Sequence, residues 1–266
     1  GMLEAMDYHY GRAVEYLKSI DQFDNTLIVF LSDNGSNPLY ANQYPGANAP
    51  EFRALFNNSR DNIGKKGSNY SYGMGFAAAS AGPLNRFKAT VGEGGIRVPL
   101  LIAGPGVRSG VRSNAFTYVW DIMPTLLEQA GVQHPKTVNG RPVEAMRGRT
   151  LGTLLRGERD RVYGEDEYVA GEMLNGKWVR RGNYKAVQIS PPFGDGNWRL
   201  FDLAMDPGET DDLASSHPTH LETLVAAWRS YAREVGVIED QFRFSVPSSV
   251  KSRANSGSHG VLPEKQ

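Results

Sequence analysis

The sequence predicts an α/β chain in two parts. A mixed-sheet core is expected over residues 3–158, and a small antiparallel sheet covered by a helix over 159–240. A polar tail occupies 241–266. Three observations predict this. The run Thr26-Leu27-Ile28-Val29-Phe30-Leu31 is short, apolar and β-branched, and it ends in the polar turn Ser32-Asp33-Asn34-Gly35, as a buried strand does. Helical patterns stand on either side of such runs before residue 158. After it, short strand-like pieces alternate with Gly-Asn and Gly-Asp-Gly-Asn turns, the signature of a meander.

Taken in order, Leu3, Met6, Tyr10, Ala13, Val14 and Leu17 fall on one face of a helix over residues 3–20. The strand 26–31 follows, and helix-then-strand is half of an α/β crossover. Residues 36–86 are loop-rich, a length that is usually functional or mobile. Within them Asn48-Ala49-Pro50-Glu51 reads as a helix start, with an Asn cap and an early proline. The Gly92-Glu93-Gly94-Gly95 segment allows positive φ and close backbone approach. Val98–Ala103 is a second buried strand. Trp120–Ala130 is a helix stopped by Gly131, and Leu151–Leu155 a helical turn. The meander strands are 168–170, 177–180, 184–189 and 198–203. Ser216 caps a last helix with Pro218 in its first turn, whose face Leu221, Leu224, Val225, Trp228, Tyr231 and Val235 covers the sheet.

Composition excludes several function classes. Lys plus Arg and Asp plus Glu both number 29, so there is no basic excess to hold a nucleic acid or an anionic membrane surface. No apolar run is long enough for a transmembrane helix, and residues 3–7 lack the apolar core of a signal peptide. Cysteine is absent, which removes disulfides, thiolate metal sites and a cysteine nucleophile from these 266 residues.

The candidate chemistry lies at three places. Asp33 and Asn34 offer a carboxylate and an amide oxygen at a strand's carboxyl end, donors that suit Ca²⁺ or Mg²⁺; the same residues also fit a tight Asn-Gly turn in which Asp33 bonds its own backbone. Lys88 could hold an oxyanion beside flexible backbone, or be a solvated surface lysine. Glu93 and Arg97 read as a structural pair that fixes the glycine-rich turn.

These residues carry a resemblance. Asn25–Gly35 resembles the Asp-Asn-Thr, apolar run, Ser-Asp-Asn-Gly element of the sulfatase family, in the alkaline phosphatase superfamily. Lys88–Pro99 resembles its K-x-x-x-x-E-G-G-x-R-x-P element, Trp120–Leu127 its Asp-Ile-x-Pro-Thr-Leu-Leu helix, and Arg199–Thr210 its Leu-Tyr-Asp-Leu and Asp-Pro-x-Glu element. Arg181-Gly182-Asn183-Tyr184-Lys185 and the Pro-Gly-Glu-Thr ending are most similar to the bacterial arylsulfatase branch. The resemblance spans residues 3 to about 240 and implies an alkaline-phosphatase-like core. It implies hydrolysis of a sulfate ester by a formylglycine hydrate, with Ca²⁺ polarising the sulfate. It implies Asp33 and Asn34 as metal ligands, Asp33 also near the nucleophile, and Lys88 on a sulfate oxygen.

The departures from the family pattern are as specific. There is no Cys- or Ser-x-Pro/Ala-x-Arg nucleophile motif; Ser245-Val246-Pro247-Ser248-Ser249 has Ser249 where Arg is required. The family's early acidic metal pair and its Lys-x-His segment have no counterpart, and His9, His134, His217, His220 and His259 match none of the family's histidines. The chain therefore resembles the C-terminal portion of an arylsulfatase: an incomplete core, a partial Ca²⁺ site, formylglycine expected outside these residues, and no turnover alone. Oligomerisation through an exposed core edge is a further expectation. By resemblance the compartment would be periplasmic or extracellular. The alternatives are a non-catalytic pseudo-enzyme or interaction module, and a phosphodiester or phosphonate monoester hydrolase of the same superfamily.

Overall fold

The computed structural model describes residues 1–40, 50–71 and 73–239. In chain order its elements are α1 (Met2–Ser19), β1 (Ile28–Leu31), α2 (Pro50–Ala54), α3 (Gly73–Ala81), α4 (Glu93–Ile96), β2 (Leu100–Ala103), α5 (Ile122–Gln129), β3 (Thr137–Val138), β4 (Arg141–Pro142), α6 (Gly152–Arg156), β5 (Tyr168–Met173), β6 (Gly176–Arg181), β7 (Tyr184–Gln188), β8 (Trp198–Asp202) and α7 (Pro218–Val235). The Asn48 cap of α2, the Ser245–Ser249 stretch and the polar tail lie outside the described residues. No described helix is long and apolar enough to cross a membrane.

Two compact units divide the chain. The first joins Gly1–Leu31 to Pro99–Glu167; the second joins Ser32–Val98 to the chain from Tyr168 onward.

In the first unit β1 pairs with β2, Ile28 opposite Ala103 and Leu31 opposite Leu100. The pairing is antiparallel, so these two strands do not form the parallel crossover that helix-then-strand suggests. Tyr10 of α1 sets its ring edge against Phe30 of β1 at 5.9 Å. Val14 and Leu17 of the α1 stripe are half-buried, while its start is open, with Leu3 71% and Met6 46% exposed. The helix α5 starts where its chemistry requires. The Asp121 side chain, fully buried, accepts from the Tyr118 and Arg149 backbone N–H groups at 2.7 and 2.9 Å and from the Tyr163 hydroxyl at 2.6 Å. The Trp120 indole N–H donates to that hydroxyl at 2.7 Å. Burial, then the Asp121 carboxylate, push the Tyr163 hydroxyl pKa up, so it stays a donor. Tyr163→Phe removes two hydrogen bonds, to the buried Asp121 side chain and from the Trp120 indole, and is expected to cost about 1.5–3 kcal/mol, read as a lower melting temperature with unchanged helix content.

In the second unit β5–β8 form an antiparallel sheet in sequence order. Its register decides its two faces. Ala170, Val179, Ala186 and Leu200 stand in one cross-strand row and pack with Leu224 and Trp228 of α7. The α7 face is the expected one except at its end, where Val235 is 37% exposed. Its cap position is held by His217; Ser216 donates instead to the Leu213 carbonyl. The adjacent row, Val169, Arg180, Lys185 and Phe201, must point to the opposite face because strand side chains alternate. That face is buried too: Val187 is 2% and Lys185 only 1% exposed.

Candidate active site

The turn that follows β1 and the glycine-rich segment before β2 both belong to the second unit, and backbone hydrogen bonds join them. The Gly35 N–H donates to the Gly95 carbonyl at 2.9 Å, and the Lys88 N–H to the Ser36 carbonyl at 3.0 Å. The approach is very close. A Cβ on Gly35 would lie 1.9 Å from the Gly94 carbonyl oxygen, and one on Gly94 2.3 Å from the Arg86 carbonyl oxygen. The glycines at 92, 94 and 95 are needed for space and not for the positive φ that the sequence allows; none has one. Residues 93–96 close a single helical turn, α4, which a Gly-Gly pair conceals in the sequence.

The three sequence candidates are thus on one small stretch of joined backbone. Within the turn the Ser32 hydroxyl donates to the Asn34 carbonyl at 2.9 Å. Among the described residues, the Asp33 carboxylate, the Asn34 amide and the Lys88 ammonium engage in no hydrogen bond or ion pair. Asp33 is exposed, while Asn34 and Lys88 are half-buried. Asp33 therefore does not close an Asx turn on its own backbone, the structural alternative for this residue.

A hard cation is the group such donors suit: one carboxylate and one amide oxygen. Among the described residues no three His, Cys, Asp or Glu side chains gather as a metal shell. One carboxylate and one amide oxygen are donor types that Ca²⁺ takes, and they would supply two of the roughly six to eight oxygens of its shell.

Glu93 is paired as the sequence suggests, but its main partner is different. Arg97 approaches it at 3.7 Å, whereas the Lys185 ammonium reaches its Oε1 at 2.8 Å. Lys185 also meets Glu209 Oε1 at 2.8 Å and donates to the Val91 carbonyl at 2.9 Å. The other Glu209 oxygen accepts the Glu93 backbone N–H at 2.8 Å. Burial alone would lower the Lys185 pKa, but the carboxylates of Glu209 and Glu93 outweigh it and the ammonium is held charged. Burial likewise opposes ionisation of Glu93, and Lys185 overcomes it, leaving the carboxyl below its usual range. Sequence reasoning passed over Lys185 and Glu209 as site-supporting residues. The sequence carries no signal for them: that Ala186 and Val187 bury both faces of the strand is seen only in the structure.

The sulfatase family model matches residues 1–132, and the model described as N-sulphoglucosamine sulphohydrolase, C-terminal, matches residues 87–228. A sulfatase of Schizosaccharomyces pombe, itself uncharacterized, is 35% identical over 240 residues, covering 89% of this chain and 43% of its own length. The arylsulfatase of Klebsiella aerogenes is 41% identical over 155 residues, 58% of this chain and 33% of its own. The phosphonate monoester hydrolase of Silicibacter pomeroyi shares the fold with a TM-score of 0.52 at 22% identity, over 86% of this chain and 38% of its own. The chain spans less than half the length of these relatives. Its mixed α/β architecture, with the antiparallel sheet and closing helix, is the alkaline-phosphatase-like arrangement of solved sulfatases. With the two models together matching residues 1–228, the chain belongs to the sulfatase family.

Proposed function

We propose that this chain forms the C-terminal part of a sulfuric ester hydrolase of arylsulfatase type, in which Asp33 and Asn34 ligate Ca²⁺ and Lys88 holds a sulfate oxygen. The observation that carries the reading is the backbone juncture Gly35–Gly95 and Ser36–Lys88, which joins the segments of three polar groups that have no hydrogen-bond or ion-pair partner among the described residues. When bound, Ca²⁺ would act as a Lewis acid on the sulfate. Lys88 places a fixed positive charge where negative charge grows on the sulfate oxygens, the kind of stabilisation worth about 10²–10³ in turnover per group. Asp33 would help hold the metal and would stand near the nucleophile. That nucleophile, a formylglycine in this reading, comes from polypeptide outside these residues, since the sequence holds no cysteine and no serine in the required setting.

Calorimetric titration of the chain with Ca²⁺ is expected to give weak binding, on the order of millimolar or weaker, because so few ligands are present. Asp33→Ala abolishes that binding; unchanged affinity would remove the metal assignment. The chain alone is expected to release no nitrophenol from nitrophenyl sulfate. Turnover by it would overturn the assignment of the nucleophile to other residues. Since the fold is shared with a phosphonate monoester hydrolase, the same assay on the polypeptide extended to include a nucleophile compares sulfate, phosphate diester and phosphonate esters, with the sulfate ester expected to be preferred.

A further inference from the structure

We propose that Lys185, Glu93 and Glu209 form a positioning device for the hydrolytic site, fixing through the Gly92–Gly95 segment where the Asp33–Asn34 turn and Lys88 stand. The inference rests on the site reading above and adds residues that touch neither metal nor ester.

The geometry converges on one short segment. Lys185 holds it at the Val91 carbonyl and at the Glu93 carboxylate, at 2.9 and 2.8 Å. Glu209 holds it at the Glu93 N–H, at 2.8 Å. Glu209 can do so because it takes a left-handed backbone, φ 52°, in the loop after β8. That loop is wound on Asp206, whose carboxylate accepts the Thr210 and Asp211 N–H groups at 2.7 and 2.9 Å. On its other side the same segment carries the site: Gly94 donates to the Asn85 carbonyl at 2.6 Å, and Gly95 accepts from Gly35. One or two hydrogen bonds therefore separate the buried cluster from the turn bearing Asp33. Stability alone does not explain such a cluster. A buried lysine and the two carboxylates around it are together replaceable by apolar side chains with little loss, whereas three directional contacts on one backbone segment fix its position.

Three amides read the coupling without metal or ester: Gly35, Lys88 and Glu93. Native-state hydrogen exchange of the unaltered protein is expected to show them opening as one unit. Glu209→Leu removes the acceptor of the Glu93 N–H and is expected to speed exchange at Gly35 and Lys88 about a hundredfold beyond any acceleration at the Val179 and Ala186 amides. Glu209→Gln keeps an oxygen for that N–H and restores slow exchange, and Ca²⁺ affinity follows the same order. Unmoved Gly35 and Lys88 amides in Glu209→Leu overturn the proposal, as does equal acceleration throughout the second unit in both variants. Should Glu209→Leu not fold, the unaltered protein decides: separate opening of the Gly35 and Glu93 amides overturns the coupling. Loss of Ca²⁺ binding by the unaltered chain, with coupled amides, would instead sink the site reading alone.

Discussion

Lys185→Met is expected to destabilise the second unit by about 3–5 kcal/mol at neutral pH, the cost of leaving buried charge without its partner. The lysine is 1% exposed and the side chains it joins are 6% and 0% exposed, so water cannot take over its role. Methionine fills the volume, which isolates the electrostatic loss from a cavity. Urea unfolding followed by near-UV circular dichroism measures it, because Trp178, Trp198 and Trp228 all lie in the sheet and helix concerned. A loss under about 1 kcal/mol, the level of an exposed pair, would contradict the buried geometry.

The sign of the pH dependence follows from the same contacts. Glu93 has its folded pKa lowered, so its contribution is present above the unfolded carboxyl value of about 4.3 and is lost as pH falls through the folded value. Lys185 has its folded pKa raised, so its contribution is present below the unfolded value of about 10.4 and is lost as pH rises through the folded one. The unaltered protein is thus most stable between these limits. In Lys185→Met the buried Glu93 loses the charge that kept it ionised, and taking up a proton relieves it. The difference between the two proteins should shrink from neutrality to about pH 4.

Why the candidate site was legible in the sequence and its support was not is a matter of range. Asp33 and Asn34 stand where an apolar run stops, and Lys88 stands beside a run of glycines; both signals are local. The meander and its covering helix were local as well, as turns and a helical period. The Lys185–Glu93 contact joins residues 92 apart in sequence, and nothing in the alternation of β7 says that both faces of that strand are covered. The structural pairing of Glu93 with Arg97 was the nearest charge a sequence could offer, at a spacing that one helical turn favours. The structure keeps it as the longer of two contacts. The two-residue strands β3 and β4 carry too little pattern to register at all.

Gly35→Ala is expected to have the largest effect on the site itself. The residue has no left-handed φ, so alanine meets no conformational barrier there. What excludes it is backbone: the new Cβ would stand 1.9 Å from the Gly94 carbonyl oxygen and 2.9 Å from the Gly95 Cα. Neither atom ends a flexible side chain, and both belong to the segment that Lys185 and Glu209 hold from the far side. The turn must therefore move away and give up the Gly35–Gly95 hydrogen bond, at a cost of about 1–3 kcal/mol for the overpacking plus about 1 for the bond. In the proposed complete enzyme, a displacement of about an ångström at this turn would lower turnover about a hundredfold. The expected result is a folded protein with a modestly lower melting temperature, no measurable Ca²⁺ affinity and fast exchange at the Lys88 amide. A Gly35→Ala protein that retains Ca²⁺ binding would show that the close approach of these two segments does not set the position of Asp33 and Asn34.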